Sequence, residues 1–257
     1  MLFIITLLTS LLFASVYPLT FWLSADKPLK NNFHHFHIGL PNIVSGIICA
    51  YLFTANFPMH LLIITLLWFI AFSFLTAISW KKDTVNIIST TLVSILGLFV
   101  FTLFHCYLLN SSVLHILSWI LSSVIFVLSL YAMNLGHWYL NIHGLPMFHL
   151  KRANTAFWFF ILLHLVWDLI GIFVFTVNID GEVITLLSFL GQLDGFYLML
   201  GFFFGIIFPA VALYFSHETI KLKNTQSTTG ILYVILSGIL IGDITFKYYA
   251  IRYALAL

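Results

Sequence analysis

The sequence predicts an all-α polytopic membrane protein, a bundle of about eight transmembrane helices. Three observations carry that prediction. Asp, Glu, Lys and Arg make up only 7% of the 257 residues, against 62% hydrophobic, and the mean hydropathy is +1.10. A water-soluble fold of this length needs far more charged surface. Apolar runs long enough to cross a bilayer follow one another along the whole chain. Finally, eight of the ten basic residues gather in four short connectors, as Lys27 and Lys30, Lys81 and Lys82, Lys151 and Arg152, and Lys221 and Lys223. If every run crosses, the four connectors share one face, and the excess of Lys and Arg marks that face as cytoplasmic.

The spans follow in order within a single transmembrane domain, residues 1–257. Span 1 is expected over 2–23; it lacks the basic n-region of a cleaved signal peptide and is read as a retained helix. Span 2 covers 38–55 after a polar connector that ends in His34, His35 and His37. The turn 56–58, with Pro58, leads into span 3 at 59–79, which stops at the Trp80-Lys81-Lys82 run. Span 4 is 85–109, and the short turn 110–112 precedes span 5 at 113–140. Span 6 is 155–177, span 7 is 183–215 with interruptions at Gln192, Asp194 and Pro209, and span 8 is 231–254. Eight spans place both termini on the non-cytoplasmic face, as expected of a multi-pass protein of a bacterial cytoplasmic membrane. Trp22, Trp80, Trp138 and Tyr139 fall near predicted ends, where interfacial anchors sit.

Composition also excludes several classes. A net charge of +2, dispersed over connectors, offers no basic footprint for nucleic acid. Cys49 and Cys106 lie apart in apolar runs, so there is neither a disulfide framework nor a CxxCH site for covalent haem. The loops are too short for a soluble catalytic domain. The lipid bilayer is the expected medium, and surface redox chemistry would require partner subunits of a membrane complex.

The functional leads are polar groups where the bilayer makes them costly. There are 11 histidines, more than Lys and Arg combined. His34, His37 and His137 are expected near the cytoplasmic face, His105 and His115 near the opposite one, and His164 near mid-membrane. His164 and Asp168 are spaced i, i+4, which puts them on one helix face, where they suit a proton relay or a haem ligand oriented by its carboxylate. Gly136 before His137 permits close approach of a flat group or another helix. Asp168, Asp194 and Asp243, with Gln192, are the candidate lining of a polar interior path. Gln226, Thr229 and Tyr233 open span 8 with groups suited to a quinone carbonyl or a lipid headgroup.

These residues support three expectations. The first is an electron-transfer subunit of respiratory type, binding b-type haem (heme b) near each face through two histidines on facing helices, His37 with His137 and His105 with His115 or His60, and exchanging electrons with quinone. No intrahelical histidine pair has the spacing of about 13 residues that the two-haem cytochrome b family uses. The second is a proton-coupled transporter using His164, Asp168, Asp194 and Asp243. The third is a membrane-embedded non-haem metal enzyme, although the HxxxH and HxxHH motifs of desaturases and hydroxylases are missing. Asp243 and Lys247 resemble the retinal-binding helix of microbial rhodopsins, but span 3 has no acidic residue to complete that pattern. Lys247, near the outer end of span 8, is expected to snorkel.

Overall fold

A computed structural model of the chain describes residues 1–24, 29, 33–82, 84–110, 112–142, 144–179 and 181–257; Lys27, Lys30, His143 and Asp180 lie outside them. Eight helical segments among the described residues are long and apolar enough to cross a membrane. They group into two units, 2–110 and 111–257, each built from four spans.

In the first unit, α1 (Leu2–Val16) tightens into a 3-10 segment (Tyr17–Ser24) at Pro18, and α2 (Phe33–Thr54), α3 (Met59–Trp80) and α4 (Ile87–Leu109) complete a ring. α1 packs on α2 and α4, and α3 packs on the same two helices. Local signals set the ends: Pro58 precedes α3, Asn86 caps α4 by accepting from the Ser89 N–H at 3.2 Å, and Asn110 closes it in the left-handed region. The face of α3 bearing Met59, Ile63, Leu67, Ile70, Phe74 and Ile78 is exposed. Its three-to-four-residue spacing makes a continuous apolar stripe, a surface suited to lipid tails rather than water.

The second unit contains α5 (Val113–Asn141), α6 (Phe148–Val174), a hairpin of β1 (Thr176–Ile179) with β2 (Glu182–Thr185), and the short α7 (Leu186–Leu190). The next span is α8 (Leu193–Phe202), a π-turn (Phe203–Ile207) and α9 (Phe208–Lys221), and α10 (Thr225–Tyr253) ends the bundle. α10 packs on α5 and on α8–α9, while α6 packs on α5 and α9.

Spans 1, 3, 4 and 5 coincide with these helices to within about two residues. Spans 6 and 8 start earlier than expected, at Phe148 and Thr225, and span 7 runs on to Lys221, so Lys151, Arg152 and Lys221 lie within helix ends rather than in connectors. His34, His35 and His37 belong to the first five residues of α2 rather than to a connector. Their rings pack on one another and on Phe33 and Trp80, so the aromatic content of the segment outweighs its polarity. Span 7 begins at Leu193, not Val183. The run 183–185 is β2, paired in register Val177 with Ile184 and Asn178 with Val183. Gly181, at φ 92°, makes the turn and donates to Asn178 Oδ1. Gln192 and Asp194 therefore mark the start of a span and do not interrupt one. The interruption lies at Pro209, which has no N–H to offer the carbonyl four residues back; the widened turn 203–207 absorbs the mismatch.

Two glycine pairs, Gly201 with Gly205 and Gly238 with Gly242, face each other between the α8–π segment and α10. A side-chain carbon at Gly242 would collide with Gly205 backbone, one at Gly238 with the Phe204 carbonyl, and one at Gly201 with Thr245. Small residues four apart let these helices meet backbone to backbone.

Candidate functional site

The second unit encloses a polar cluster contributed by α5, α6 and α10. Asp243 and Lys247, one turn apart on α10, form an ion pair of 2.7 Å. The Ser122 hydroxyl of α5 donates to the other carboxylate oxygen of Asp243. The Lys247 ammonium also reaches Ser123 Oγ at 3.4 Å and lies 5.4 Å from the centre of the Trp119 ring. Lys247 is only 1% exposed, so it turns into the bundle and does not snorkel. The Asp243 carboxylate, Ser123 and the Trp119 ring give it a shell that the interface would otherwise supply.

On α6, His164 and Asp168 lie on one face as their spacing predicts, with Nδ1 and Oδ2 3.6 Å apart. Asp168 is 1% exposed, and among the described residues neither of its oxygens has a hydrogen-bond partner; nor does Nε2 of His164. Phe246 of α10 sets its ring against the imidazole at 5.3 Å and 84°. Phe246 stands between Asp243 and Lys247 on α10, so this ring contact brings the two pairs into one cluster. The cluster holds two carboxyl groups and one lysine. With all three ionised, one negative charge is left uncompensated in an apolar interior, which is costly. Chemically, the arrangement calls for one more positive charge at the His164–Asp168 pair.

The remaining predicted residues are placed as follows. In the first unit, His37 is buried with Nδ1 2.8 Å from the Tyr17 hydroxyl and its ring stacked on Tyr17 at 4°. His34 is buried beside His35, and His105 is buried against Phe101. In the second unit, His115 has both nitrogens engaged. Nε2 faces the Ala254 carbonyl at 2.7 Å and must donate, leaving Nδ1 to accept from Ser112 at 2.9 Å. His137 is exposed. Of the expected histidine pairs, His37 with His137 and His105 with His115 draw on different units, while His105 and His60 share one, the first buried and the second exposed. Among the described residues, no three His, Cys, Asp or Glu side chains converge as a metal site.

Asp194 stands apart from the buried pairs, in the first turn of α8 and 41% exposed, bonded to Arg252 and Tyr253. Gln192 is exposed at the helix start. At the start of α10 the capping residue is Asn224, which accepts from the Ser227 N–H at 3.0 Å. Gln226 and Tyr233 are exposed, while Thr229 is buried where Gly136 lets α5 approach it. The glycine before His137 thus serves helix packing.

Sequence reasoning missed Ser122, Ser123 and Trp119, which carry no motif and gain meaning only by facing α10. The opposed Gly-x3-Gly pairs were detectable from spacing. No family model, curated protein or solved structure matches this chain.

Proposed function

We propose that this integral multi-pass protein handles protons within the membrane, its second unit binding and releasing one proton at the His164–Asp168 pair. The supporting observation is the burial of Asp168 with both oxygens unpartnered beside His164. A proton is the smallest species that supplies the missing positive charge, and His164 Nε2 and the Asp168 oxygens offer it alternative seats. The Asp243–Lys247 pair is the fixed counter-charge: protonation of the first pair changes the field felt by the second. Coupled movement of another solute through the unit, with the basic connectors cytoplasmic, makes the chain a proton-coupled carrier.

The test is infrared difference spectroscopy of the purified chain across a pH step, in H₂O and in D₂O. A carboxylic-acid stretch that shifts in D₂O and vanishes in Asp168→Asn is the expected result. Absence of an Asp168-dependent band overturns the reading. In proteoliposomes carrying an internal pH dye, Asp168→Asn should also abolish potential-driven proton uptake, whereas Glu182→Gln should leave it intact.

A redox reading, with b-type haem, quinone and partner subunits, draws on the same histidine. An imidazole whose Nδ1 is backed by a carboxylate and whose Nε2 is open resembles a ligating histidine. The ring packed against it is Phe246 and not a second imidazole, so the residues at hand do not fit bis-histidine haem. A reduced-minus-oxidised optical spectrum separates the readings: a b-type band lost in His164→Ala supports haem, and a featureless spectrum supports the proton reading.

A further inference from the structure

The geometry points to a binding site for one zwitterionic phospholipid, of the ethanolamine type, in a groove between α8 and α10. This groove, of about 520 Å³, is lined at one end by Asp194, Tyr248 and Arg252, and along its length by Leu200, Phe204, Ile241 and Ile244. From Arg252 to Ile241 it follows α10 for roughly 16 Å, about the depth of one leaflet. Its floor is the glycine seam at Gly201, where the helices approach too closely for side chains to fill the space.

The polar end selects the head. Arg252 Nη2 lies 3.3 Å from Asp194 Oδ2, and Nη1 donates to the Tyr248 hydroxyl. The guanidinium lies over the rings of Tyr253 and Tyr248, at 5.1 and 5.8 Å. The Tyr253 hydroxyl donates to Asp194 Oδ2, and that of Tyr249 to the Asp194 backbone carbonyl. Both charged side chains are therefore held in place, yet Arg252 remains 45% and Asp194 41% exposed. A fixed cation beside a fixed anion complements a head with phosphate and ammonium side by side. The phosphate takes the free guanidinium N–H groups, and the ammonium takes the second carboxylate oxygen. A purely anionic head meets Asp194 unfavourably. One acyl chain then lies along the apolar part of the groove.

Native mass spectrometry of the full chain, after exchange into micelles doped with equal phosphatidylethanolamine and phosphatidylglycerol, tests this. One phosphatidylethanolamine per chain should survive detergent stripping, with at least a tenfold preference over phosphatidylglycerol. Arg252→Gln and Asp194→Asn should each remove the preference, and Ile244→Trp, at a lipid-facing position, should block retention without unfolding. Equal retention of the two lipids overturns the site, as does unchanged retention in Ile244→Trp or recovery of a quinone in place of phospholipid. These outcomes do not depend on proton binding at Asp168.

Discussion

Lys247 Nζ sits 2.7 Å from Asp243 Oδ2, with both side chains buried within the second unit. Each charge is tolerated because the other is present, and the energetic consequence is asymmetric. Lys247→Met should destabilise the chain by about 3–5 kcal/mol by leaving a buried carboxylate unpaired. The double variant Asp243→Leu with Lys247→Met should recover most of that loss. Thermal melting in detergent reads both; a single variant as stable as the double would show that the pair is not an energetic unit.

The Ser122 hydroxyl completes the shell of Asp243, so Ser122→Ala should cost about 1.5–3 kcal/mol, the range for a hydrogen bond to a charged group. In the Asp243→Leu, Lys247→Met background the same substitution should cost much less. Equal costs in the two backgrounds would mean that the hydroxyl acts elsewhere.

Glycines of α10 should divide sharply by position. Gly242→Val pushes a side chain into the Gly205 backbone and should cost at least about 1–3 kcal/mol through overpacking. Gly230 has open space around its added carbon, so Gly230→Ala should gain up to about 1 kcal/mol from helix propensity. Melting temperatures moving in opposite directions are the expected signature.

At the start of α4, Asn86→Ala removes the cap on Ser89 N–H and should cost about 1 kcal/mol. Asn86→Ser should restore most of it, since a serine oxygen can accept the same bond. Guanidinium-free thermal scans suffice to rank the three proteins.

The proposal that the basic connectors are cytoplasmic has a direct labelling test. In a background with Cys49 and Cys106 replaced by alanine, a cysteine at Glu182 should react with an impermeant maleimide on intact cells. One at Lys223 should react only after permeabilisation. The reverse pattern would invert the topology.

The spans were legible because hydropathy reports directly on the solvent a helix must face. α3, α4 and α5 begin or end within two residues of expectation. The stretch 183–190 misled for the same reason, since an apolar strand and an apolar helix look alike in hydropathy. Its β-branched Val183, Ile184 and Thr185, behind the turn at Gly181, were the available signal. Within the site, His164 with Asp168 was legible as a same-helix pair. The inward course of Lys247 was not, because it depends on Ser123 and Trp119 across a helix interface. Likewise, His115 is occupied by Ala254, some 139 positions away, a pairing that no local spacing announces.

The π-turn at Phe203–Ile207 closes with the Phe208 N–H on the Phe203 carbonyl, five residues back. It thereby gives the seventh span a phase offset. One residue corresponds to about 100° of helical rotation, so the turn sets independently which sides α8 and α9 present. Deleting a single residue there would mend the helix but rotate Asp194, Tyr197 and Leu200 away from α10. The bulge is thus the device that lets one transmembrane span serve two differently facing surfaces.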